Sequence, residues 1–222
     1  AGDGSLIAML DQNLGTVAMI RGDLRGALEA FRLSHLGYQA LGRRSHEAQV
    51  LNNIGLAYME LGELADAEQA YAEATRGFEE EGDHARQLDV AVNKVQLYIA
   101  DRRYDEALSQ CERLLAVKTE DVPSWLGEVF RHVGVIARER ADFPKAADYL
   151  LRAEQNAVER GDLLLRADVA EQLAELYWAQ KRHREMLQSL NDAHSLYSQL
   201  KAQHRLAQVE KRNGALEARF LE

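Results

Sequence analysis

Three asparagines, a histidine and a glutamine recur at one spacing: Asn13, Asn53, Asn93, His132 and Gln172 lie 40, 40, 39 and 40 residues apart. A side-chain amide donates through its NH2 and accepts through its carbonyl, so it can pair with a backbone C=O and N–H at once. One such group per unit would hold an extended peptide by its main chain, whatever side chains the peptide carries. The competing role is internal, with the same amides bonded to neighbouring helices and tying the units together. The sequence leaves both open.

A second pattern is electrostatic. The positions that share a helical face with this column are Met9, Gln12 and Thr16, then Gln49, Asn52 and Leu56, then Asp89, Val92 and Gln96, then Glu128, Arg131 and Val135, then Asp168, Glu171 and Glu175. The first two sets are uncharged. The last three carry five acids and one base, so a ligand with a basic segment is expected over that half. Other chemistry is absent: there is no Gly-rich phosphate loop, no Gly-x-Ser-x-Gly, no Cys-x-x-Cys and no His-Glu-x-x-His. Glu81-Gly-Asp-His84 has Glu-x-x-His spacing but reads as a helix stop rather than a metal site. Cys111 occupies a column otherwise held by Phe31, Tyr71, Leu150 and Leu190, and so reads as core. No catalytic residue, metal or cofactor is expected, and the chain reads as non-enzymatic.

The elements that must carry these residues follow from the same period. Gly15, Gly55, Val95, Gly134 and Ala174 share the spacing. Ala27, Ala67, Ala107, Ala146 and Met186 follow twelve residues after each, and Ser34, Ala74, Leu114, Ala153 and Ala193 repeat in step. Within a unit the apolar residues step by three and four, as in Leu51, Ile54, Tyr58 and Leu61, which is helical rather than strand periodicity. A second run passes through Leu64, Ala67, Tyr71, Ala74 and Phe78 and stops at Gly82; Gly42 and Gly161 stop the first and fourth units similarly. The small column lets the two helices of a pair approach closely. The opposite face of each first helix then lines a concave surface, as in solenoids generally, and that face bears the positions above.

With small residues at Gly15, Gly55 and Gly134, Tyr58 three beyond, and the Ala67–Tyr71–Ala74 triplet, the chain resembles the tetratricopeptide repeat. It is similar to the long-period type seen in kinesin light chain, LGN-type scaffolds and bacterial peptide-pheromone receptors and regulators. It departs in lacking the early tryptophan and the closing proline, and in its period of about 40. The resemblance implies an all-α right-handed superhelix of five helix pairs (about 5–42, 45–82, 84–118, 122–161 and 162–200), and a role in binding peptides or proteins through asparagines of the concave face. A ligand with an acidic C-terminal tail is not expected, because Gln12, Gln49 and Asp89 stand where basic clamp residues would help.

Residues 201–222 read as one more helix, with Gly214 forty after Ala174 and an apolar stripe of Leu206, Val209, Leu216 and Phe220. It serves as a cap, as the start of an unfinished sixth unit, or, with Asn213 in the stripe, as a short dimerising coil. The absence of an initiator Met and a helix still in progress at Glu222 suggest a piece of a longer protein. The alternative to a binding scaffold is therefore a sensory or dimerisation segment of a bacterial signalling protein or transcriptional regulator with its output domain beyond Glu222. The 222 residues, 46% hydrophobic, suffice for a real core. A net charge of −9 argues against nucleic-acid partners. No apolar run approaches a membrane span, and one cysteine suits a cytoplasmic setting.

Overall fold

The computed structural model describes residues 2–118 and 123–220, with side chains described over 4–118 and 123–211. Eleven helices are present among the described residues, and no strand. They are α1 (Gly2–Arg21), α2 (Leu24–Ala40), α3 (Arg44–Leu61), α4 (Leu64–Glu80), α5 (His84–Ala100), α6 (Tyr104–Leu115), α7 (Leu126–Glu139), α8 (Phe143–Arg160), α9 (Leu163–Ala179), α10 (His183–Gln199) and α11 (Gln203–Phe220). The chain divides into two compact units, Ala1–Gln110 and Cys111–Glu222. In the first, α1 packs on α2 and α3 on α4, while α2 also covers α3 and α4 covers α5. In the second, α7 pairs with α8 and α9 with α10, α8 covers α9, and α10 carries α11. None of these helices is long and apolar enough to cross a membrane.

The turns show why the helices stop where they do. Gly42, Gly82 and Gly161 have φ of +62°, +67° and +66° at the ends of α2, α4 and α8, the left-handed conformation expected of them. The tight turns inside the pairs also need a left-handed residue. Gly22 and Gly62 supply it at φ +79°, but Arg102, Ala141 and Lys181 take the same conformation at +58°, +60° and +60°, against the preference of L-residues. The residue after a left-handed one is often aspartate, which begins the next helix. Asp23, Asp83, Asp142 and Asp162 accept from the backbone N–H groups of Gly26, Arg86, Lys145 and Leu165 at 2.9–3.2 Å, each satisfying a donor that the first helical turn leaves unpaired.

The glycine column has a sharper purpose than close approach of helix axes. A Cβ on Gly15 would sit 2.5 Å from the Phe31 ring, one on Gly55 2.5 Å from Tyr71, and one on Gly134 2.7 Å from Leu150. Each glycine is a socket for the large residue of the paired helix. Phe31, Tyr71 and Leu150 are correspondingly buried, as are Ala27, Ala67 and Ala146 beside them. Cys111 is buried too, and burial followed by the nearby Glu112 charge pushes its thiol up to about 12, so it is an inert core residue. At the turns, the Arg103 and Arg182 guanidiniums lie 4.5 and 4.6 Å from the ring centroids of Tyr98 and Tyr177, a cation–π contact repeated in register. Thr119–Val122 of the irregular linker lie outside the described residues, as do the side chains of Asn213, Leu216 and Phe220.

Candidate functional site

In the unit Ala1–Gln110, the first helices α1, α3 and α5 present the expected polar positions in different states. Asn13 and Thr16 on α1 are exposed, and Thr16 Oγ1 donates to the Gln12 carbonyl at 3.1 Å. On α3, Gln49 and Asn53 are half-buried, but Asn52 is only 7% exposed. On α5, Asp89 is exposed while Asn93 and Gln96 are half-buried. Asn93 Nδ2 donates to Asn52 Oδ1 at 2.9 Å. That bond spends the half-buried amide of the third repeat on the buried amide of the second, which is the internal role. Asn13 and Asn53 have no side-chain partner among the described residues, so their donors and acceptors remain available to a ligand.

The unit Cys111–Glu222 uses its equivalent positions differently. Glu128 Oε2 accepts from Arg131 Nε at 2.9 Å and from its terminal nitrogen at 2.6 Å, a two-point pairing one helical turn apart. The same guanidinium lies 3.0 Å from His132 Nε2. An arginine can only donate, so Nε2 accepts and the imidazole proton resides on Nδ1. Nδ1 is buried and unpartnered, and the ring is 2% exposed. Burial, then the adjacent Arg131 charge, holds this imidazole well below its ordinary range. His132, expected as a groove donor, is therefore an enclosed neutral ring, whereas its column mates Asn13 and Asn53 are exposed and half-buried. Gln172 on α9 is half-buried, and its carbonyl accepts from Arg138 of α7 at 3.0 Å, another tie between successive repeats.

The acids of α9 are also engaged. Asp168 Oδ1 takes the Tyr197 hydroxyl at 2.5 Å and Arg205 of α11 at 2.9 Å; Glu171, 8% exposed, lies 2.8 Å from the same hydroxyl. Burial, then the Asp168 carboxylate, raises the Tyr197 phenol, which stays protonated as a donor. Arg205 and Val209 thus pin α11 onto the unit, Val209 being fully buried against Ala167, Ala170, Ala193 and Tyr197. The half-buried Glu175 completes the face. Reading one face of the first helices missed Arg138, which lies on α7 outside the chosen positions, and missed Tyr197 and Arg205, which come from α10 and α11. Tyr197 had one signal, since it continues the buried column of Tyr38, Phe78 and Ala157.

Residues 48–80, covering most of α3 and all of α4, match the family model described as tetratricopeptide repeat. Joined to the repeated sockets and turns, that decides the architecture. The repeats are tetratricopeptide repeats. The chain is 26% identical over 207 residues to Protein KINESIN LIGHT CHAIN-RELATED 3 of Arabidopsis thaliana, which is 90% of this chain and 31% of that protein. Its fold matches NprR in complex with its cognate peptide NprX at a TM-score of 0.80 and 18% identity, covering 92% of this chain and 60% of NprR. Aspartyl phosphate phosphatase F of Bacillus subtilis matches at a TM-score of 0.73 and 14% identity, covering 94% and 60%. The chain therefore spans under a third of the curated relative and 60% of either solved neighbour. At such identities these structures share a tetratricopeptide fold with the chain, and nothing narrower.

Proposed function

We propose that the chain is a non-enzymatic scaffold that binds a peptide or protein segment, and that Asn13 and Asn53 hold the ligand's main chain on the unit Ala1–Gln110. The observation that carries this reading is the contrast among the repeated amides. Asn93 and Gln172 are bonded inside the protein, whereas Asn13 and Asn53, one repeat apart on α1 and α3, are left with unspent donors and acceptors. Packed helices lie ~8–10 Å apart, about the span of three residues of an extended chain, so two amides reach the same peptide at separated peptide groups. Gln49 and Gln96 flank them, and Thr16 and Asp89 border the surface.

NprR, whose fold this chain shares, was solved with a bound peptide, which supports a peptide or protein ligand here. Because aspartyl phosphate phosphatase F shares the fold too, the non-enzymatic part rests on the residues: the clustered acids of the second unit hold structural partners. A basic ligand segment would have to compete with Arg131 and Arg205 for Glu128 and Asp168, leaving Asp89 as the acid most open to it. A cytoplasmic setting fits the single, buried thiol. A second reading, a sensory segment ahead of an output domain, draws on the 60% of NprR that the chain spans.

A phage library of random twelve-residue peptides panned against the whole chain tests the proposal. Selected peptides are expected to lose about tenfold in affinity or more on combined Asn13→Ala and Asn53→Ala substitution, roughly one net hydrogen bond per amide, with the far-ultraviolet dichroism unchanged. Peptides whose affinity survives both substitutions would remove the amides from the site. Failure to enrich any peptide would remove the peptide reading itself.

A further inference from the structure

The outer face of α1 exposes Leu6, Ile7, Leu10, Leu14, Val17 and Ile20 in one continuous stripe. The internal repeats show what such a face is for. Leu10, Leu14 and Val17 stand in the columns of Val50, Ile54 and Ala57 on α3, and of Val169, Leu173 and Leu176 on α9. On α3 those residues are buried in a cluster with Ala27, Leu28, Phe31 and Tyr38 of α2. On α9 they are buried against Ala146, Leu150, Ala153 and Ala157 of α8. On α5, Val90 and Leu97 of the same columns lie against Ala67, Tyr71, Ala74 and Phe78 of α4. In each case the cover is the second helix of the preceding repeat. Val50 and Val169 are at most 1% exposed, whereas Leu10 is 50% exposed; Leu14 is 61% exposed against 7% for Ile54.

We propose that α1 is an internal helix of a longer array: the second helix of a preceding repeat, carried by the chain that leads into Ala1, covers Leu10, Leu14 and Val17. Three observations select that occupant. Solenoids end on polar faces, yet α1 is as apolar as the covered α9 and more apolar than the covered α3 and α5: Ile7 and Ile20 replace Glu47 and Glu60 of α3, and Gln87 and Ala100 of α5. The stripe is continuous along a whole helix, beyond the isolated apolar residues a solvated surface carries. A second copy stacked head to tail would offer α11, which carries Gly214 in the first-helix register, and no described first helix is covered that way. The covering helix should therefore carry the second-helix pattern: a small residue forty before Ala27, a large apolar one forty before Phe31, a small one forty before Ser34 and an aromatic one forty before Tyr38.

The test compares Leu14→Cys in the 222-residue chain and in the natural protein with its preceding residues, using 5,5′-dithiobis(2-nitrobenzoic acid) as the thiol probe. Cys111 is buried with a raised pKa and provides a silent background. The 222-residue chain is expected to label freely and the longer protein at least about tenfold more slowly, because the thiol then reacts only through local opening. Val17→Cys repeats the measurement on the next turn should the first substitution disturb folding. Equal labelling in both chains overturns the proposal, as does a preceding sequence without the four columns. Protection that appears in the 222-residue chain as its concentration rises also overturns it, by assigning the face to a second copy.

Discussion

The same repeat positions do opposite work in the two units. On α1 and α3 they are uncharged, and the ladder amides Asn13 and Asn53 have no side-chain partner among the described residues. On α7 and α9 they are charged or enclosed, and Glu128, His132, Asp168 and Gln172 all contact protein groups. Equal placement in a solenoid does not imply equal availability; what decides is whether a neighbouring element supplies the complementary group. Tyr197 and Arg205 reach Asp168 from α10 and α11, so the second unit spends its polar face on its own cohesion. No described side chain reaches Asn13 or Asn53.

The largest effect expected of this contrast is on stability. Asp168→Ala leaves Tyr197 with one acceptor fewer and takes the Asp168 carboxylate away from Arg205, and should cost about 2 kcal/mol in denaturant unfolding. Asn53→Ala should change stability by less than ~0.5 kcal/mol, as do most substitutions outside a bonded network. Equal losses at the two sites would erase the distinction.

Proton linkage gives the next handle. His132 is held neutral in the folded state and its pKa lies below the unfolded value of 6.5, so below that pH the unfolded chain binds the extra proton. Its contribution to stability is present above about pH 6.5 and is lost as pH falls towards the depressed folded value, at no more than ~1.4 kcal/mol per pH unit. Unfolding of the wild type and of His132→Gln between pH 7.5 and 5 should show the steeper decline in the wild type alone; parallel curves would mean the ring is not enclosed.

Within the first unit the contrast sharpens to single residues. Asn93→Ala removes the donor to the buried Asn52 carbonyl and should cost about 1 kcal/mol while leaving peptide affinity unchanged, the reverse of Asn53→Ala. The smallest effect concerns Tyr71, whose hydroxyl is buried without a partner. Tyr71→Phe removes an unpaired polar group and should be neutral or slightly stabilising in thermal unfolding, showing that this unit is held by its apolar sockets rather than by buried hydrogen bonds.

Periodicity made the helix pairs, the small column and the glycine stops legible, because each depends on local packing or on one residue's conformational freedom. The left-handed Arg102, Ala141 and Lys181 show the limit of residue type as a guide: the turn position was aligned, but nothing in arginine or lysine announces φ near +60°. The site was less legible than the fold. Asn93 reaches Asn52 rather than its column mate Asn53, one residue and ~100° around the helix, so facing groups do not share a register. Likewise the charge excess read along α7 and α9 omitted Arg205, which arrives from α11.

The most direct measurement is nuclear magnetic resonance of the side-chain amides during titration with a selected peptide. The Asn13 and Asn53 NH2 signals should shift while Asn93 keeps its bonded position. Shifts confined to residues 128–175, with Asn13 and Asn53 unmoved, would contradict it.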